Sequence, residues 1–116
     1  MGKLTTHILD TTFGKPAAGV NIELFRHGRS RELLIKTASN SDGRCDRPLL
    51  EGEALSAGQY ELVFHIGEYF RGLHVELPDP PFLDEVVIRF GIAQPQSHYH
   101  VPLLVSPWGY STYRGS

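Results

Sequence analysis

Tyr60-Glu61-Leu62-Val63-Phe64-His65-Ile66 alternates one set of large apolar side chains, Tyr60, Leu62, Phe64 and Ile66, with a second set, Glu61, Val63 and His65. Successive side chains of an extended chain point to opposite sides, so the run predicts a strand whose first set faces a core. The same period of two recurs upstream. Leu4, Thr6 and Ile8 alternate with Thr5, His7 and Leu9; after a turn at Gly14-Lys15-Pro16, Val20, Ile22 and Leu24 alternate with Asn21, Glu23 and Phe25. The polar Arg26-His27-Gly28-Arg29-Ser30 then leads the chain back through Leu33 to Thr37, which makes a hairpin. Ser41-Asp42-Gly43-Arg44 is a turn, because Asp and Gly adopt the needed backbone angles cheaply, and a short strand follows near Arg47 to Leu50. Downstream, Glu68 to His74 predicts about two helical turns before Pro78-Asp79-Pro80-Pro81, where proline ends regular structure. Val86, Ile88, Phe90 and Ile92 mark a further strand, His98 to Val105 a seventh and Tyr110 to Arg114 an eighth. The expected fold is mainly β: a sandwich of two four-stranded antiparallel sheets with one short helix.

The bulk properties bound what such a sandwich can do. A chain of 116 residues fits one domain, 1–116, and 41% hydrophobic against 21% charged residues is enough to bury a core. A formal charge of -2 supplies no broad positive field for nucleic acid or an anionic membrane. No run approaches the roughly 20 apolar residues that span a bilayer. The lone Cys45 cannot form an internal disulfide, and the opening Met1-Gly2-Lys3-Leu4-Thr5-Thr6-His7 carries no apolar leader. A cytoplasmic location is therefore expected; Arg114-Gly115-Ser116 does not match the peroxisomal tripeptide address, and a peroxisomal location is left open only through an amino-terminal address. Open sheet edges are normally covered, charged or paired with another copy, so a symmetric oligomer is expected.

Four places carry chemistry. His98 and His100 share one strand face, opposite Tyr99, Val101, Leu103 and Val105; they suit a base with its orienting partner, a metal site, or a merely polar surface. His7 points away from the Leu4, Thr6 and Ile8 face, and meets them only if the first and seventh strands, or two subunits, join those faces. Arg44 follows the Asp42-Gly43 turn, where a guanidinium suits the oxygen-rich edge of a flat heterocycle or simply solvent. The end, Tyr110-Ser111-Thr112-Tyr113-Arg114-Gly115-Ser116, is dense in hydrogen-bonding groups where termini ordinarily fray.

In order, His7-Ile8-Leu9-Asp10, Gly14-Lys15-Pro16-Ala17, Asp42-Gly43-Arg44, Gly58-Gln59-Tyr60, Tyr69-Phe70, His98-Tyr99-His100-Val101-Pro102-Leu103-Leu104 and the terminal heptapeptide resemble the 5-hydroxyisourate hydrolase branch of the transthyretin family. The resemblance covers essentially the whole chain, and its closing Tyr113-Arg114-Gly115-Ser116 separates the enzymes from the hormone carriers. It implies hydrolysis of the small molecule 5-hydroxyisourate in urate degradation, without metal or other cofactor. It also implies a homotetramer in which sandwiches extend their sheets into dimers and two dimers enclose a channel. His7, Arg44 and His100 match the family's catalytic positions and Tyr113 its substrate-contacting tyrosine. Arg114 and Ser116 lie near that tyrosine, and His98 is a supporting candidate. Two other readings stand beside this one. A small-ligand carrier would bury polar groups at about 1 to 3 kcal/mol each if unpaired. A zinc hydrolase could use the three histidines, although a neighbouring arginine opposes a divalent cation.

Overall fold

The computed structural model describes residues 1–115, so Ser116 lies outside the described residues. The strands are β1 (Lys3–Asp10), β2 (Lys15–Pro16), β3 (Asn21–His27), β4 (Arg31–Ala38), β5 (Leu50–Glu51), β6 (Gly58–His65), β7 (Glu85–Ile92), β8 (Tyr99–Ser106) and β9 (Gly109–Thr112), with one α-helix, α1 (Ile66–Gly72). One sheet runs β4-β3-β6-β7 and is antiparallel throughout. The other runs β2-β1-β8-β9, with β5 also paired to β1. The expected two-sheet, mainly β architecture is borne out. The second sheet has five strands rather than four, because Lys15 and Pro16, read as part of a turn, pair with Asp10 and Leu9.

A second departure matters more. β1 and β8 run parallel, from Leu4 opposite Tyr99 to Asp10 opposite Val105, whereas antiparallel sheets were expected. Parallel neighbours need a long crossover, and here the chain builds the whole opposite sheet between them.

The alternating patterns fill the space between the sheets. Leu4 and Ile8 from β1, Leu103 and Val105 from β8, and Tyr60, Leu62 and Phe64 from β6 belong to one buried cluster, each large side chain contributing about 1.5 to 3 kcal/mol by leaving water. The outward side of β6 is also covered: Glu61 is 4% exposed and is reached by His27 Nε2 at 2.9 Å, Arg31 at 2.8 Å and Arg89 at 3.3 Å. Burial alone would raise the pKa of its carboxyl, but donation from Arg31, His27 and Arg89 prevails and holds it below the usual glutamate value.

The helix begins at Ile66 rather than at Glu68. Ile66, read as the last residue of a strand, is the first of the helix, and with Tyr69 and Phe70 it forms a buried stripe of helical spacing. The helix is tied to the end of β1 by Tyr69, whose hydroxyl donates to Asp10 Oδ2 at 2.7 Å. Asp10 Oδ1 accepts from the backbone N–H of Thr12 and Phe13 at 2.9 and 3.1 Å. Burial, and then the Asp10 carboxylate, push the Tyr69 hydroxyl pKa far up.

The free side of β1 is covered in pieces: β5 at Lys3 and Leu4, a single bridge from Arg44 to His7, and β2 at Leu9 and Asp10. Gly43 makes the middle piece possible. Its carbonyl accepts from Ile8 N–H at 2.8 Å, its φ is +76°, and a Cβ there would lie 2.4 Å from the Ile8 carbonyl oxygen. Gly43→Ala should therefore lower unfolding free energy by about 1 to 3 kcal/mol for the backbone strain alone. A urea titration showing an unchanged midpoint would contradict this account of the turn.

Candidate active site

Register places the candidate residues in two rows on the outward face of the five-stranded sheet. Thr5 stands opposite His100, and His7 opposite Pro102. Arg44 bridges His7 from the other side, and Gly115 bridges His100. Partners in a ladder point to the same side and alternate residues share a face, so Thr5, His7, Arg44 and His100 converge. The β8–β9 register, Leu103 opposite Thr112, continues through to His100 opposite Gly115 and brings Tyr113 opposite Pro102 in the His7 row. The expectation that His7 and His100 meet if their two strands join faces is thus realised within one chain.

Each group is held by identifiable contacts. The Arg44 turn is clamped by Asn40, whose side-chain oxygen accepts from Asp42 N–H at 2.9 Å and Arg44 N–H at 3.1 Å. The backbone N–H of Asn40 in turn donates to the Arg44 carbonyl at 2.7 Å. The chain end docks by its backbone: Gly115 N–H donates to the His100 carbonyl at 2.7 Å. A Cβ at position 115 would meet His100 Cδ2 at 3.0 Å and Cβ at 3.1 Å, so glycine there lets the terminal strand lie directly beside the imidazole. On the opposite flank Thr5 Oγ1 sits 2.9 Å from His100 Nδ1.

His100 is half-buried, and its pKa is pushed below the ordinary imidazole value first by burial, then by the positive charge of Arg44, then by His7. The ring is therefore neutral at neutral pH, with a lone pair available to accept a proton. Arg44 and Tyr113 remain exposed on this face, Tyr113 by 62%. A small cavity of about 170 Å³ adjoins, lined in part by Thr5, Arg44, Cys45 and Arg47. Cys45 is half-buried, and its thiol pKa is raised first by burial and then by Asp46, which makes it a poor nucleophile.

Two sequence candidates fall elsewhere. Arg114, expected near the tyrosine, lies in register with Val101 and turns to the other side of the strand. Its guanidinium stacks 4.2 Å from the Tyr99 ring centroid and donates to the His98 carbonyl at 3.0 Å. His98 precedes β8 and is exposed. Ser116 lies outside the described residues. Thr5, Asn40 and Gly115 were not singled out as site residues; the position of Thr5, two before His7 on the same strand face, and the place of Gly115 within the terminal motif were the sequence signals for them, and Asn40 had none. Among the described residues no three His, Cys, Asp or Glu side chains are grouped to hold a metal ion, and no helix is long and apolar enough to cross a membrane. A larger cavity of about 610 Å³ lies on the opposite sheet beside Glu23, Lys36 and His65. It is an open trough in which His65 already contacts Glu23 at 2.8 Å, and it is remote from the convergent groups.

Residues 4–115 match the model of the HIUase/Transthyretin family. A curated relative, 5-hydroxyisourate hydrolase 2 of Rhizobium meliloti (strain 1021), is 60% identical over 116 residues, 99% of this chain and 97% of the relative. Of solved structures, that of Klebsiella pneumoniae 5-hydroxyisourate hydrolase aligns over 100% of both chains with 37% identity and a TM-score of 0.83. Sea bream transthyretin in complex with thyroxine aligns with a TM-score of 0.87 over 97% of this chain and 94% of its own, at 24% identity, a likeness of fold alone.

The electrostatics of the face set a measurable sign. The His100 imidazole should titrate with a midpoint below 6.5 when followed by its carbon-bound proton signals, and Arg44→Ala, by removing a neighbouring positive charge, should move the midpoint up. A midpoint at or above 6.5 in the unaltered protein would sink this description of the site.

Proposed function

The chain belongs to the HIUase/Transthyretin family, and from that premise we propose that it is an enzyme, a single catalytic domain that hydrolyses 5-hydroxyisourate in urate degradation. The product is 2-oxo-4-hydroxy-4-carboxy-5-ureidoimidazoline. The observation that carries the reading is the convergence of His7, Arg44 and His100 on one sheet face, with His100 held neutral by burial and by Arg44. The 60% identity to a named hydrolase supports it.

The substrate has an electron-poor acyl carbon next to a ring nitrogen. Opening that ring takes an activated water, relief for the charge that develops on oxygen, and a proton for the departing nitrogen. One histidine of the His7 and His100 pair takes a proton from water as the water oxygen bonds to the acyl carbon. The carbonyl pair moves onto its oxygen, where the Arg44 guanidinium offsets the negative charge. Collapse breaks the carbon–nitrogen bond, its electron pair goes to nitrogen, and the imidazolium returns the proton there. The balance is one water added across one bond, with no covalent intermediate on the protein. Arg44 serves both halves, since the charge that stabilises the oxyanion also keeps the imidazolium acidic.

Tyr113 forms one wall of the site and contacts the substrate. Arg114 acts through the chain end, because its guanidinium is engaged with Tyr99 and the His98 carbonyl. The working state is a homotetramer. Arg44 and the 62% exposed Tyr113 leave the face open to water on one chain, and a facing copy would exclude that water and strengthen every electrostatic contact within. The location is cytoplasmic, consistent with a lone unpaired cysteine.

Catalytic amounts of the protein added to freshly generated 5-hydroxyisourate should remove its ultraviolet band faster than the spontaneous decay. His100→Asn should lower turnover by about 100- to 10,000-fold while leaving the melting midpoint nearly unchanged. Decay of the band at the spontaneous rate with the unaltered protein would defeat the reading.

A further inference from the structure

Thr5 and Thr6 are adjacent in β1, and their hydroxyls do different work. Thr6 is 2% exposed, and its hydroxyl donates to the Val101 carbonyl at 2.7 Å, an interior staple between β1 and β8. Thr5 is on the outward face, where its Oγ1 lies 2.9 Å from His100 Nδ1. The parallel register that sets Thr5 directly opposite His100 makes this pairing a property of the sheet rather than of a mobile side chain. A β-branched residue in a strand also has few rotamers to choose from. On the far side the ring is flanked by the backbone of Gly115, where any side chain would crowd Cδ2 and Cβ. The imidazole is thereby bracketed, with Nδ1 occupied and Nε2 the nitrogen left for other work.

We propose that Thr5 is a positioning residue for His100: its hydroxyl oxygen accepts the Nδ1 proton and holds the ring so that Nε2 can first take a proton and then give it back. The second half of this statement rests on the hydrolase reading above. The chemistry follows from the partner's type. While His100 is a neutral base at Nε2, its proton is on Nδ1 and the Thr5 oxygen accepts it. The same contact remains when Nε2 has gained a proton and the ring is an imidazolium. A carboxylate in this place would also accept, but its charge would favour the imidazolium, against the effect of Arg44 and His7, the charged or titratable groups that face this ring. A neutral acceptor that keeps the Nδ1 proton in place suits a histidine whose Nε2 must act as base and then acid in one cycle.

Thr5→Val keeps the shape of the side chain and removes the hydroxyl, and Thr5→Ser keeps the hydroxyl and removes the methyl. Nitrogen-15 spectra of the His100 ring and steady-state kinetics should be recorded for all three proteins. In Thr5→Val the Nδ1 resonance should lose its hydrogen-bonded position. Its kcat should fall on the order of 10-fold, as for one lost hydrogen bond to the reacting group, with KM changed by less than about 2-fold. Thr5→Ser should restore the Nδ1 resonance and most of kcat. The proposal is overturned by an unchanged Nδ1 resonance in Thr5→Val, by a full kcat in that variant, or by equal impairment of the valine and serine proteins. If the unaltered protein does not accelerate loss of 5-hydroxyisourate, the hydrolase reading and the proton-exchange role fall together, while the nitrogen-15 comparison still decides whether Thr5 holds the ring. Should Thr5→Val not fold, Thr5→Ala offers the same loss of the hydroxyl.

Discussion

The parallel ladder between β1 and β8 fixes almost everything that matters about the site. Its partners run from Leu4 and Tyr99 to Asp10 and Val105, and side chains alternate across it, so the register decides which residues face the core and which face out. A slip of one residue would turn the Leu4, Thr6 and Ile8 set outward and bring Thr5 and His7 into the core, a change opposed by the burial of the whole apolar set. The hydrophobic pattern therefore protects the polar constellation without touching it. The short contacts on the other side of β1, among them the Gly43–Arg44 turn, add Arg44 to the His7 row.

The electrical surroundings of the histidines divide them into two kinds. On the opposite sheet His27 contacts Glu61 at 2.9 Å and His65 contacts Glu23 at 2.8 Å, contacts that tie those rings into the structure. His100 instead meets a hydroxyl and a guanidinium. The absence of a carboxylate partner among the described contacts of His100 keeps its lone pair available, and a positive neighbour makes the protonated ring eager to give its proton up. This sets the surroundings of His100 apart from an ion pair built for cohesion, and it is a physical feature that a shared fold with a thyroxine-binding protein does not by itself supply.

Much of this was legible in the sequence because it depends on local alternation. The runs at Leu4–Ile8, Tyr60–Phe64 and Tyr99–Val105 announced their buried faces, and the face of His7 followed from its neighbours. The pairing of β1 with β8 was not legible, since nothing local encodes which distant strand lies alongside or in which direction. Nor was the burial of Glu61, which looked like the solvated half of an alternating strand until three other strands brought His27, Arg31 and Arg89 to it. The helix start shifted because a buried isoleucine satisfies a strand and a helix equally well. Arg114 shows the limit of motif reading: its neighbours in the terminal motif meet the candidate face, but strand alternation sends its guanidinium to Tyr99.

The central claim is that two strands far apart in sequence deliver His7 and His100 into one catalytic unit. It is tested most directly by a double-mutant cycle on turnover of 5-hydroxyisourate with His7→Asn, His100→Asn and the pair. Groups that act as a unit are grossly non-additive, so the double variant should be scarcely slower than the more impaired single one. Losses that multiply independently, each variant contributing its full factor in the pair, would contradict the account.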